Sequence, residues 1–170
     1  LHSRVRLAAL DLICSSPKMS LSVTVFETSF LKIFFQRDGL RCSSEEYRHR
    51  VRHLLRLMIN RLRIDTSHSG KAPISEEEET TSTMFSKWLI DWLGTQLYPS
   101  VSFSRAGLAI RVLCDMQDVY LSSPPRAIST RRNDVVLSAL HTDRLVTAVT
   151  IQLWSKFDAI RSYALQFLRK

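Results

Sequence analysis

The feature that most constrains the fold is the spacing of apolar residues, which follows the α-helical period in one segment after another. In the clearest segment, residues 43–64, apolar side chains recur three or four positions apart, at Tyr47, Val51, Leu54, Leu55, Met58 and Leu62. This spacing puts them on one face of a helix. Ser43 and Glu46 stand three residues apart at its start, the spacing of a capping box. The pattern predicts a long amphipathic helix over 43–64.

Shorter segments with the same period predict further helices. They cover residues 3–14, 21–37, 85–97 and 102–120, and two or three more fill 131–170, with the last beginning near Asp158. Serine-proline, aspartate-glycine and proline signals separate these segments. With four glycines and five prolines in 170 residues, there is little material for a turn-rich β fold. We therefore expect an all-α chain of six to eight stacked helices.

One polar stretch interrupts the helical pattern. Residues 65–83 carry four consecutive glutamates and no apolar period. The composition predicts a polar acidic surface loop. It would separate the N-terminal helices of residues 1–64 from the C-terminal helices of residues 84–170 within one domain.

Two distant segments resemble each other, which suggests an internal repeat. Residues 5–13 (VRLAALDLI) and 160–168 (IRSYALQFL) both read β-branched, Arg, two variable positions, Ala, Leu, variable and two apolar. Their separation is close to a whole number of HEAT or armadillo periods of about 40–47 residues. We therefore predict a HEAT/armadillo-like α-solenoid segment, and the absence of an initiator Met suggests part of a longer chain. The alternative is chance agreement between two amphipathic helices.

Several classes of site find no support. The three cysteines lack any CxxC spacing, which favours buried thiols and a reducing, cytoplasmic compartment. His49 and His53 have a metal-ligand spacing, but the arginines around them would repel a cation. No glycine-rich phosphate loop, catalytic signature or membrane-spanning run is present. We expect no catalytic residue, no metal and no bound cofactor.

The polar face of the 43–64 helix is strongly basic. Seven arginines and two glutamates occupy residues 41–63, in a chain whose net charge is +8. Helical spacing aligns four of these arginines as candidate RNA phosphate contacts: Arg48, Arg52, Arg56 and Arg63. A solvated face, or pairing with carboxylates, is the alternative. The tryptophans Trp88, Trp92 and Trp154 are expected in the core.

Four stretches resemble the THADA family, large HEAT-repeat proteins that contain a DUF2428 domain. They are residues 6–18 (RLAALDLICSSPK), 30–35 (FLKIFF) leading into the basic helix, 85–105 from Trp88-Leu89 to Tyr98-Pro99 and Arg105, and 157–164 (FDAIRSYA). Ser100 stands where the family usually has Gly, and the family's R-R-S-A-G-L-P-type signature is absent.

The resemblance implies a non-catalytic subunit that supports tRNA 2′-O-methylation in the anticodon loop. The partner would be an FtsJ-like 2′-O-methyltransferase, which would itself bind S-adenosylmethionine, and this chain would bind tRNA, the enzyme or both. A general protein-interaction scaffold with no RNA contact is the competing interpretation.

Overall fold

The described part of the chain is entirely helical. The computed structural model describes residues 3–15, 25–37, 44–68, 81–98, 101–122 and 130–170. Within these ranges there is no strand. The helices are α1 (Ser3–Cys14), α2 (Val25–Gln36), α3 (Glu45–His68), α4 (Thr81–Thr95), α5 (Phe103–Leu121), α6 (Thr130–Leu140), α7 (Asp143–Ile151) and α8 (Asp158–Leu168), with a 3₁₀ turn at Gln152–Trp154 between α7 and α8.

Helix bounds differ from the sequence expectation mainly around the basic helix. Ser44, not Ser43, precedes α3, and its hydroxyl accepts a hydrogen bond from the Tyr47 N–H at 3.3 Å, as an N-cap does. Helix α3 continues to His68 and α4 begins at Thr81, so both ends of the predicted loop 65–83 are helical. The rest of that loop, residues 69–80, and Ser43 lie outside the described residues. The three-part division of the chain stays a prediction.

The helices form two layers. In the first layer, α3 packs between α1 and α5, and α5 packs on to α8. In the second, α4 contacts α2, α6 and α7. Contacts of α3 with α4, α5 with α6 and α7 with α8 join the two layers. A continuous apolar core between them includes residues from every helix.

Neighbouring helices of the first layer run parallel. On α1 and α3, Arg6 lies over the Tyr47 ring, and further along both helices the Ile13 carbonyl accepts from Arg61. Contacts between α5 and α8 also ascend along both helices, from Arg111 with Tyr163 to Gln117 with the Phe167 carbonyl. Parallel equivalent helices in one layer are expected where repeats stack.

The α8 segment behaves as the repeat pattern predicts. Ala164 is fully buried against its neighbours, and α8 begins at Asp158. Arg161 pairs with Asp158 and donates to the Ser155 carbonyl at 2.6 Å. The counterpart of Ala164 in α1, Ala9, is only half-buried. Close packing at the small residue is therefore complete in α8 and partial in α1.

No helix in the described ranges is long and apolar enough to cross a membrane.

Two of the three cysteines are free thiols buried in the core. Burial raises the pKa of the Cys14 thiol to about 12 and that of Cys114 to about 11, from an ordinary value of 9.0. Both thiols therefore lose their protons at a lower pH in the unfolded chain than in the folded chain. Below about pH 9 both thiols are neutral in either state and the free energy of unfolding is unaffected by them. It falls as the pH rises from there toward 11–12, because only the unfolded chain ionises readily. Cys42 lies outside the described residues.

We expect both buried thiols to resist alkylation in the native state. With Cys42 replaced by serine, iodoacetamide at pH 8 should label Cys14 and Cys114 at least about 100-fold more slowly than in the urea-unfolded chain, because only the thiolate reacts. Mass spectrometry of timed samples measures this ratio. Equal labelling rates in the two states would show that the thiols are accessible.

Candidate nucleic-acid interface

Helix α3 buries one face and exposes the other, as its sequence predicts. Val51, Leu54 and Leu62 are fully buried, together with the other members of the apolar stripe. On the opposite side His49, His53 and Arg56 are exposed. Because α1 and α5 flank this helix, arginines at the borders of the exposed face reach neighbouring helices.

The four predicted phosphate contacts lie in different environments. Arg56 is exposed, and it makes no hydrogen bond or ion pair with any described residue. Arg48 and Arg63 are half-buried and each has an interaction partner within the protein. Arg52 is also half-buried, and its guanidinium is held by α5. The row is therefore partly solvent-facing and partly engaged with neighbours.

The Arg52 contact is a bidentate ion pair. Its Nε donates to Asp115 Oδ2 at 2.7 Å and its Nη2 donates to Asp115 Oδ1 at 2.8 Å. The Asp115 side chain is 6% exposed. These hydrogen bonds, with a smaller contribution from Tyr163, raise the pKa of Arg52 above its ordinary value against the opposing effect of burial. The pair fixes the separation of α3 and α5, and phosphate would have to share Arg52 with Asp115.

A second ion pair joins α3 to α1 on its other side. Arg50 donates to Asp11 of α1 at 3.1 Å, with both side chains substantially exposed. The pKa of Asp11 is lowered, first by the hydrogen bond from the Ser15 hydroxyl and then by Arg50. An exposed pair of this kind adds little to stability, because water and salt screen the two charges. It leaves Arg50 available to an incoming anion at small cost.

Arg111 extends the basic surface on to α5. Its guanidinium lies 4.9 Å from the centre of the Tyr163 ring of α8. Its Nε is buried and has no hydrogen-bond partner, and it forms no ion pair with the described residues. Arg111 was not predicted from the sequence because α5 has no row of arginines like that of α3, and only packing brings α5 beside α3.

Positive charge is concentrated in the first layer. The helices α1, α3, α5 and α8 contain eleven arginines and seven carboxylates, whereas α2, α4, α6 and α7 contain five cations and four carboxylates. A surface with excess positive charge attracts polyanions. The groove between α1 and α3 has mixed charge, with Arg4 and His53 beside Asp11 and Glu46. Among the described residues no three His, Cys, Asp or Glu side chains come together as a metal site.

The tryptophans do not all lie in the core. Trp88 and Trp92 stack on each other and pack against Phe35, as expected. The expectation for Trp154 is wrong, because its side chain is 80% exposed at the end of the 3₁₀ turn. Residues 152–157 belong to no helical period, so no apolar face draws this ring into the core. Its position outside every helical period was the one feature of the sequence that indicated an exposed tryptophan.

Most of the chain matches a protein-family model. The family model described as "Trm732, TPR repeats" matches residues 1–162 of this chain. No curated protein and no solved structure matches it. TPR, HEAT and armadillo repeats are all helical units that stack into α-solenoids. The repeat model and the all-helical structure together confirm the predicted α-solenoid segment.

Proposed function

Because this chain belongs to the Trm732 TPR-repeat family, we propose that it is a non-catalytic scaffold segment that supports 2′-O-methylation in the tRNA anticodon loop. The family confirms the Trm732/THADA-like resemblance and indicates a role in tRNA modification. The finer assignments, which are tRNA as ligand, an FtsJ-like methyltransferase as partner and cytoplasmic location, are part of the proposal. S-adenosylmethionine and the catalytic residues would belong to the partner.

One structural observation supports tRNA binding most directly: the excess of arginine on the helices of the first layer. Phosphate groups favour arginine because its planar guanidinium donates two parallel hydrogen bonds. Arg56 is the strongest single candidate, since it is exposed and has no partner among the described residues. Its neighbours His49 and His53 share the face.

The remaining predicted contacts take different roles in this proposal. Arg48 and Arg63 would approach phosphate from the borders of the face while keeping their present partners. Arg52 would act mainly by joining α3 to α5, since two of its donors are held by the buried Asp115 carboxylate. It would add long-range positive charge more than a direct contact.

The competing function is an interaction scaffold that binds protein and never RNA. The Arg52–Asp115 pair favours this protein-binding function, because one of the four predicted phosphate contacts already binds a carboxylate. In that case an acidic protein segment would occupy the same face. Competition of tRNA and an acidic peptide for the chain at matched salt distinguishes the two functions.

We expect replacement of Arg48 and Arg56 by glutamine to weaken tRNA binding and flatten its salt dependence. The slope of log K against log salt is negative, and each lost phosphate contact should reduce its magnitude by about 0.7–0.9. Filter binding over a series of salt concentrations measures the slope. Arg52 is left intact, because its replacement would also break the contact with α5.

The matched control is Arg144→Gln, which removes one arginine from α7 in the other layer. Its side chain is exposed and interacts with Tyr98. This control should leave the slope unchanged. The proposed site on α3 is wrong if the Arg48→Gln/Arg56→Gln chain keeps the wild-type affinity and slope.

A further inference from the structure

Three exposed aromatic residues lie in the first turn of α5 or in the short segment that leads into α8. They are Trp154, 80% exposed, Phe157, 37% exposed, and Phe103, 44% exposed. The rings of Phe103 and Phe157 are 3.7 Å apart between centroids. We call these three residues, together with Lys156, the aromatic platform. Large apolar side chains clustered at a surface usually mark a binding site.

The segment that carries the platform is fixed by hydrogen bonds. The Ser155 N–H donates to the Gln152 carbonyl at 3.0 Å, and the Ser155 carbonyl accepts from Arg161 at 2.6 Å. Gln152 in turn donates to the Leu97 carbonyl. Because the backbone is held on both sides, Trp154 is presented without further ordering of the chain. A site already held in its binding conformation loses less entropy when a ligand binds.

A lysine lies beside one of these rings. The Lys156 ammonium lies 5.6 Å from the centre of the Phe157 ring and forms no ion pair with the described residues. The nearest acidic side chain along the chain, Asp158, is paired with Arg161. Both α5 and α8 direct their N-termini, the positive ends of their dipoles, toward this region. An anion is therefore favoured beside the rings.

Aromatic rings beside a lysine that has no ion pair among the described residues match unpaired nucleotides better than they match a protein segment. Bases stack on aromatic side chains while the adjacent phosphates bind cations. Lysine, in contrast, is depleted in the buried centre of protein interfaces. Bases within a duplex are already stacked, so only unpaired ones are available to such rings.

We propose that the aromatic platform binds unpaired RNA nucleotides, with a base stacked on Trp154 and a neighbouring phosphate at Lys156. This rests on the proposed tRNA-binding function and adds a second, single-strand-specific contact to the phosphate contacts of α3. Trp154 is the stacking surface, and the Phe103–Phe157 pair offers a second surface for an adjacent base.

The test is equilibrium binding of the full chain to two fluorescein-labelled RNAs, an unstructured oligouridine of about ten nucleotides and a blunt duplex of about the same length. Trp154→Ala should weaken oligouridine binding roughly 5- to 100-fold, the usual range for loss of one base–aromatic stack. Duplex binding should stay within about twofold of wild type. Trp154→Phe, which keeps a stacking ring, should retain most of the affinity.

Salt dependence separates stacking from charge. Trp154→Ala should leave the slope of log K against log salt unchanged, because it removes no phosphate contact. Lys156→Gln should reduce the magnitude of that slope by about 0.7 for a single strand. Phe26→Ala is the matched control, since Phe26 is an equally exposed aromatic residue on α2, at 77%. It should change neither quantity. Far-UV circular dichroism verifies that each variant is folded.

Three results overturn the proposal, and they distinguish failure of the platform from failure of tRNA binding. Wild-type chain that binds both RNAs, with Trp154→Ala equal to wild type on oligouridine, rejects the platform alone and leaves the patch to a protein partner. Equal losses by Trp154→Ala and Trp154→Phe reject stacking in the same way. Wild-type chain that binds neither of these RNAs nor tRNA rejects tRNA binding itself, and the platform with it.

Discussion

Replacing Glu27 with leucine should destabilise the fold by about 3–5 kcal/mol, although the substitution removes a charge from a mostly apolar region. Glu27 of α2 accepts a hydrogen bond at 3.0 Å from Arg61 of α3, whose side chain is 2% exposed. Arg61 also donates to the Ile13 carbonyl of α1 at 2.9 Å. Without the carboxylate, a buried guanidinium loses its compensating charge. Urea unfolding followed by circular dichroism measures the loss.

The control for this prediction is the double variant Arg61→Met/Glu27→Leu. It removes both charges and keeps apolar volume, so it should recover much of the stability lost by Glu27→Leu alone. A single variant as stable as wild type would show that the ion pair does not tie α2 to α1 and α3. A double variant less stable than Glu27→Leu would assign the effect to lost packing instead.

The second large effect is expected from Phe35→Ala, which should lower the free energy of unfolding by about 3–5 kcal/mol. Phe35 is 1% exposed, and its ring centre lies 5.1 Å from Trp92 and 6.4 Å from Trp88. The substitution opens a cavity between α2 and α4, which the surrounding rings cannot fill completely. Denaturant unfolding monitored by tryptophan fluorescence reports both the stability and the altered surroundings of the two indoles.

Phe26→Ala provides a matched control on the same helix. Phe26 is 77% exposed, so its removal should change stability by no more than about 0.5 kcal/mol. The contrast tests whether α2 is oriented as described, with Phe35 toward α4 and Phe26 toward solvent. Similar losses for the two variants would contradict that orientation.

Much of the fold could be predicted because helical periods are local. The apolar stripe of α3 is buried as its spacing predicts, α1 spans Ser3–Cys14 as expected, and α8 begins at Asp158. A period of 3.6 residues needs no knowledge of neighbours. Helix ends were predicted less accurately, since α3 ends at His68 and its predicted end is residue 64. The solenoid class followed from an internal repeat and is confirmed.

The candidate site was predictable only in part. Arginine spacing on α3 correctly identified an exposed basic face, which Arg56 represents. It could not reveal that Arg52 is held by Asp115, because 63 residues separate them in the chain. The prediction also failed for Trp154: tryptophan is usually well buried, but this one ends a 3₁₀ turn and has no helical face to bury it.

The sequence alone determined the helices, their buried faces and the excess of arginine, because these properties depend on residues a few positions apart. Tertiary structure decided which charges remain available to a ligand and which aromatic rings reach the surface. Those outcomes depend on contacts between helices distant in sequence, such as Arg52 with Asp115 and Phe103 with Phe157. A side chain's chemistry is fixed by its type, but its partners are fixed by packing.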